Sequence, residues 1–349
     1  MSERFRRGLV VGKFSPLHHG HELVLKTALA RCERVLAISY ARPELPGCGA
    51  ARRADWMSEL FPEVRHLALD RASLANLRQR HPGLPEDVPS EADSELVHRR
   101  FVARVCWEVW GGGVDAVFSS ETYGEPFAAE LERELPRLGA PPGPVTHVMV
   151  DLERERVPIS ASRIRATPEL GRSYLSPAVR ASFVRRVCVL GGESSGKTTL
   201  ARALAQRFET TCADEYGREL WLERGGTLEY DDFLTIATTQ VAREELAARG
   251  ASSLTFTDTS ALTTLFYCQY QYGRAEPELQ RLAERSYDLT LLCAPDFPFV
   301  QDGTRKDAAF RAEQHAFYLR ELGHRRAPWV LLEGPLEARI AAASEAIRG

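Results

Sequence analysis

The stretch GGESSGKTTL, Gly191–Leu200, restricts the fold of this chain more than any other. It satisfies the pattern G-x-x-x-x-G-K-[ST] through Gly191, Gly196, Lys197 and Thr198. The apolar run RRVCVLGG leads into it, and KTTLARALAQRF follows with helical spacing. Such a loop works only where a strand ends and a helix begins, because unpaired N–H groups at the helix start hold the phosphate. The pattern makes Gly191, Gly192, Glu193, Ser194, Ser195, Gly196 and Thr199 an ATP-binding loop. Lys197 is expected to reach the β- and γ-phosphates, and Thr198 to ligate Mg²⁺.

A second glycine-rich turn, GKFSPLHHGH, begins at Gly12 and rests on a different principle. RRGLVVGKF reads as a short buried strand running into that turn. His18 and His21 are spaced i, i+3 at a helix start, so they share a face beside free N–H groups and the positive dipole end. Two imidazoles donating there suit a pentacoordinate phosphorus, with attack at an α-phosphate and loss of pyrophosphate. Gly12 and Phe14 shape this ATP site and Lys13 adds a cation. Far downstream, ISASRIR supplies Ser160 and Arg165, a hydroxyl and a cation at another helix start.

Strands alternate with helices around both turns. RVLAISY, EVRHLAL, VDAVFSSE and PVTHVMVD read as strands of the first half. SSLTFTDTS, YDLTLLCAP and APWVLLEG do so in the second. This alternation predicts an α/β chain with two doubly wound parallel sheets. Its 349 residues suit two domains, which we place at 1–172 and 185–349. Residues 70–95 carry Pro82, Pro85 and Pro89 in polar surroundings and are expected to be an insertion or flexible loop.

The net charge of −3 gives no global field for nucleic acid. No run of apolar residues is long enough to span a membrane, and the basic start lacks a signal peptide's apolar core. The cysteines are scattered without zinc-ligand spacing, which suits structural thiols and a cytoplasmic setting. A homo-oligomer is compatible with the sequence but not dictated by it.

In the second half, Asp214 and Glu215 end a strand, and Asp258 ends LTFTD. Acidic residues at strand C-termini face the ligand crevice of an α/β sheet. One can accept a hydroxyl proton and another, Asp258, can hold Mg²⁺. PDFPFVQDGTRKD reads as a lid in which Arg305 closes on the transferred phosphoryl group.

The histidine turn and ISASRIR resemble the nucleotidyltransferase superfamily that carries H-x-G-H and I-S-x-x-x-x-R. The resemblance implies a Rossmann-like nucleotidyltransferase domain in which His18 and His21 contact ATP phosphates, assisted by Lys13, Ser160 and Arg165. FSSETYGE is similar to the acceptor segment of its nicotinamide-nucleotide members, implying that Ser119, Ser120, Glu121 and Tyr123 line the acceptor site. Arg53 and Trp56 fall where those members have R-x-x-W. GGESSGKTTL, EYGREL, FTDTSALTT and FVQDGTR together resemble the P-loop ribosylnicotinamide kinase domain of the NadR family. The whole chain then looks like a bifunctional NadR-type enzyme whose small-molecule substrates are ATP, nicotinamide riboside, nicotinamide mononucleotide and NAD. Its pyridinium substrate calls for aromatic faces and carboxylates, which Asp214, Glu215, Tyr216, Glu219, Phe299 and Asp302 would supply. The first strand starts near residue 8, leaving no room for the helix-turn-helix domain of some members, so DNA-binding repression is not expected. Phe299 stands where the family's lid usually has Trp. A coenzyme A synthase also pairs such domains, but EYGRE and FTDTSALTT argue against it. A non-catalytic NAD sensor is the remaining alternative.

Overall fold

The computed structural model describes residues 4–167, 171–299 and 306–348. The chain divides into two compact units, Met1–Arg180 and Ala181–Gly349. Each is built on a five-stranded, all-parallel sheet with helices on both faces, so the fold is α/β. Parallel neighbours demand crossover connections, which is why helices separate the strands along the chain.

The first sheet has the order β3-β2-β1-β4-β5, with β1 Phe5–Val11, β2 Cys32–Tyr40, β3 Arg65–Leu69, β4 Ala116–Ser119 and β5 Thr146–Met149. Alternation along β1 sends Leu9 to one face and Val10 to the other. Leu9 packs with Leu36, Ile38 and Val117 under Phe101, Val105 and Leu131 of the helices Glu95–Trp110 and Gly124–Arg137. Val10 packs with Val35, Ala37 and Phe118 under Leu25 and Met57 of the helices His19–Arg31 and Ala50–Leu60. A strand buried on both faces must be apolar throughout, which explains RRGLVV and RVLAISY. Between β1 and β4 the winding of the chain reverses, and a crevice opens at their carboxyl ends. That reversal brings Gly12, Ser119 and Ser120 to the wall of one cavity.

The second sheet has the order β10-β9-β6-β8-β7, with β6 Arg185–Gly191, β7 Cys212–Ala213, β8 Leu254–Asp258, β9 Leu289–Cys293 and β10 Trp329–Leu332. Cys188 and Leu190 point to a core with Phe233, Leu262 and Tyr318. Val187 and Val189 point to the opposite core with Leu200, Leu204 and Ile347. Val189 pairs with Asp258 on one side and Leu291 on the other, so β6 ends in the centre of the sheet, where the phosphate loop begins.

One expectation fails. Residues 70–95 are not a loop throughout, because Arg71–Arg78 is a helix. Asp70 caps it by accepting from Ser73 N at 2.7 Å, and Ser73 Oγ accepts from Asp70 N at 2.8 Å. Leu74, Leu84 and Val88 are buried in the core above Leu9. Leu74 and Leu77 give a single i, i+3 repeat, too short to mark a helix, and the prolines that follow read as loop punctuation.

All seven cysteines are free thiols, six of them buried. Among the described residues no helix is long and apolar enough to cross a membrane.

Candidate active sites

Each unit holds its own cavity at the carboxyl edge of its sheet. The first, of about 600 Å³, is lined by Gly12, Lys13, Phe14, His18, His21, Ser119, Ser120, Glu121, Tyr123, Ser160 and Arg165, among others. Residues distant in sequence are thus brought together by the winding reversal.

His18 is the N-cap of the helix His19–Arg31. Its Nδ1 accepts from Gly20 N at 3.0 Å, while His18 N donates to His21 Nδ1 at 3.4 Å. Both rings therefore carry their proton on Nε2. With its Nδ1 engaged, the Nε2–H of His18 is left as a donor. The rings stack with centroids 3.8 Å apart, and Phe14 packs edge-on against His21. Burial first, then the charges of Arg154, His19 and Arg165, push the pKa of His18 down to about 4. Burial and His18 lower His21 as well. Neutral imidazoles among guanidinium groups give a site that attracts anions while the rings stay uncharged and donate from Nε2–H.

The cations around the histidines are held in place. Arg165 donates to Ser15 O at 2.6 Å and to Ser162 Oγ at 3.2 Å. Ser160 caps the short helix Ala161–Ala166 by accepting from Arg163 N. Lys13 pairs with Glu91 at 2.5 Å, so the segment expected to be a loop supplies part of the cavity wall. Glu121 is bound by Arg154 at 2.8 Å, and Arg154 also donates to Ile159 O at 2.6 Å. Arg154 and Glu91 are cavity residues that sequence reasoning missed. Both lie in polar segments where a functional charge looks like a solvated one.

Arg53 and Trp56, expected at the acceptor, do not line this cavity. Arg53 is fully buried, donating to Ser39 Oγ, Cys48 O and Leu69 O at 3.1, 2.7 and 3.1 Å and pairing with Glu44 at 3.0 Å. Trp56 is 2% exposed within the core beside the helix His19–Arg31. The helix Ala50–Leu60 turns both inward: Arg53 ties Ser39 of β2 to Leu69 of β3, and Trp56 packs in the core.

The second cavity, of about 430 Å³, opens over the loop after β6 and is lined by Glu193, Ser194, Ser195, Gly196, Lys197, Thr198 and Thr199. Ser194 and Gly196 have φ of 56° and 79°, the left-handed conformation that turns successive N–H groups inward. Gly191 has no room for a side chain, since a Cβ there would stand 2.3 Å from Ser195 Oγ. Gly191 and Gly192 are buried at the loop's base.

Asp258, at the end of β8, is 1% exposed. Burial raises its carboxyl pKa, opposed by the Lys197 charge and a hydrogen bond from Thr198. Among the described residues its Oδ1 is buried without a hydrogen-bond partner. An orphaned carboxylate oxygen beside a threonine hydroxyl fits Mg²⁺, which binds few protein oxygens and keeps waters. The described residues contain no cluster of three or more His, Cys, Asp or Glu able to hold a metal by themselves.

Glu215 lines this cavity, but Asp214 and Tyr216 do not. Asp214 is exposed and paired with Arg202 at 3.1 Å. The Tyr216 ring already carries the Arg243 guanidinium at 4.7 Å, and Glu219 binds that same arginine. The helix Tyr216–Glu223 begins directly after Glu215 and turns these side chains elsewhere. Phe299 is not among the lining residues and stacks under Arg311 at 5.4 Å. Asp302 and Arg305 lie outside the described residues.

Glu193, expected to cradle ATP, is spoken for at both ends. Its N–H donates to Gln314 Oε1 at 3.0 Å. Its carboxylate accepts from Tyr267 OH and Lys306 N, each at 2.8 Å. The aromatic walls are Trp221, Phe233 and Tyr267, with Gln240 and Arg218 beside them. Sequence reading passed over these because Trp221 and Tyr267 sit in helices whose apolar spacing reads as core.

Residues 186–339 match the family described as AAA domain. The "Trifunctional NAD biosynthesis/regulator protein NadR" of Salmonella typhimurium (strain LT2) is 30% identical over 322 residues, 85% of this chain and 71% of that protein. The protein of the same description from Escherichia coli (strain K12) is 28% identical over 327 residues, with the same two coverages. A crystal structure of NadR protein in complex with NR superposes with TM-score 0.65 at 22% identity, covering 99% of this chain and 97% of that one. A second, in complex with NAD and AMP-PNP, gives 0.61 at 20% identity, covering 99% and 96%. The likeness to these structures extends the fold over the full chain, and the Salmonella relative carries the assignment: the chain belongs to the NadR family.

Proposed function

We propose that the chain is a bifunctional enzyme of NAD biosynthesis, with an adenylyltransferase over residues 1–172 and a riboside kinase over 185–349. The observation that carries this reading is the pair of separate cavities, each with its own phosphate-handling loop. The relatives described as NAD biosynthesis proteins support the substrate class.

In the second unit, ATP phosphates sit on the loop 191–198 with Lys197 at the β/γ oxygens. Thr198 and Asp258 would hold Mg²⁺, which when bound neutralises charge on the phosphates. The acceptor, nicotinamide riboside, lies between Trp221 and Tyr267, with the Glu193 and Glu215 carboxylates offsetting its pyridinium charge. Its 5′-hydroxyl attacks the γ-phosphorus, Glu215 takes the proton, and ADP leaves. The mononucleotide goes on to the first unit. There its phosphate oxygen attacks the α-phosphorus of a second ATP, and pyrophosphate leaves. His18 donates from Nε2 to the charge that develops, and Lys13, Arg154 and Arg165 hold the phosphates. Lys13 must first exchange Glu91 for the nucleotide.

The test is turnover. Incubation with ATP, Mg²⁺ and nicotinamide riboside should yield the mononucleotide and then NAD. Phosphopantetheine in place of the riboside should yield nothing. Nucleotide binding without either product would overturn the reading in favour of a sensor.

A further inference from the structure

Arg339 is only 2% exposed, and no motif drew attention to it. It stands near the start of the last helix, Leu336–Arg348. Its Nη1 donates to the carbonyl of Ser195 at 2.8 Å, inside the phosphate loop. Nη2 donates to Ala294 O at 3.0 Å, just past β9, and Nε donates to Gly334 O at 2.8 Å, just past β10. Asp296 supplies the counter-charge, and the Phe297 ring covers the guanidinium at 4.4 Å. The side chain does not line the cavity.

The Ser195 contact has a chemical reason. A phosphate loop binds anions only while its N–H groups point inward, so its carbonyls must point outward into the protein. Such a carbonyl needs a donor. Ser195 lies between two residues of positive φ, a conformation unfavourable for Ser194 without outside support. Only a planar guanidinium can serve three carbonyls and a carboxylate from one buried point.

We infer that Arg339 is a positioning residue of the second site, holding the phosphate loop in its anion-binding form before nucleotide arrives. It acts through Ser195 and touches neither ATP nor acceptor. The inference rests on the reading of the second cavity as a nucleotide site.

The experiment compares the full-length wild type with Arg339→Lys and Arg339→Met, using AMP-PNP with Mg²⁺ in equilibrium dialysis. Wild type should bind two equivalents per chain. Each variant should keep one, at the first site, and bind the other about 10- to 100-fold more weakly, the scale of a small misplacement in a preorganised site. In kinase assays the KM for ATP should rise while the KM for riboside stays within about threefold. Adenylyl transfer from supplied mononucleotide should be unchanged, which reports an intact first unit, and a retained cooperative unfolding transition of the second unit in calorimetry reports that the unit carrying Arg339 is folded. Two equivalents bound with wild-type affinity, even at a lowered Tm, would mean that Arg339 only holds the fold and would overturn the inference. A wild type that binds two equivalents but never phosphorylates riboside would overturn the proposed kinase function and leave the inference standing. A wild type that binds a single equivalent would overturn both.

Discussion

The imidazole of His18 shows what burial does to a single residue. The unfolded chain protonates this ring near 6.5, whereas the folded chain does so only near 4. As pH falls, the unfolded state binds its proton first. Stability from this residue is therefore complete above about 6.5 and is lost between 6.5 and 4, by roughly 3 kcal/mol at the acid end. Calorimetry from pH 7 to 4 should show a steep loss of stability in the first unit. His18→Asn should flatten that slope, and an unchanged slope would show that the ring is not held neutral. Arg53 makes a second case at this scale. Truncation to Met would strand Cys48 O and Leu69 O in the core, so Arg53→Met should cost roughly 3 kcal/mol of stability. The KM for mononucleotide in the surviving folded fraction should stay at the wild-type value. A raised KM with unchanged unfolding would restore Arg53 to the acceptor site.

Helices and loops decide which of several suitable side chains reach a site. EYGREL offers two carboxylates and an aromatic ring within six residues, yet of these three only Glu215, at the start of the helix Tyr216–Glu223, lines the cavity. The aromatic faces come instead from Trp221, farther along that helix, and from Tyr267 of the helix Ala261–Tyr272, whose hydroxyl is fixed by Glu193. If these elements form the acceptor pocket, its charge should matter. The pyridinium riboside should be preferred over its neutral dihydro form by about 1–2 kcal/mol, read as a ratio of kcat/KM of roughly 5- to 30-fold. Trp221→Leu should shrink the preference, while Tyr216→Leu should leave it alone. Equal kcat/KM for the two ribosides in the wild type would remove this pocket from the mechanism.

For the molecule as a whole, the two cavities belong to different sheets and share no lining residue among those described. Their chemistry should therefore be separable. Lys197→Ala removes a charge from the phosphate loop but little core packing, so riboside phosphorylation should stop while adenylyl transfer to supplied mononucleotide continues. His18→Ala should do the reverse, and mononucleotide should accumulate from riboside. Mixing the two variants should restore NAD formation through free mononucleotide. Loss of both reactions in folded Lys197→Ala would require one shared nucleotide site in place of two.

Both glycine-rich turns, the alternation of strands and helices, and the parallel sheets were legible in the sequence. These depend on local matters: glycine where the chain must turn left-handed, apolar residues where a strand is covered on both faces, and histidines one helical turn apart. A local pattern is complete within its own window, so His18, His21, Lys197 and Thr198 could be singled out directly. Which distant residues join them was not legible. Arg154, Glu91, Trp221, Tyr267 and Arg339 come to their sites through winding order and helix rotation, and each has a neighbourhood in sequence that fits a solvated surface or a core helix equally well. The same cause moved Arg53, Trp56, Asp214 and Tyr216 away from the cavities. A side chain's direction depends on the packing of the entire element, and that packing exists only once the sheet and its covering helices have come together.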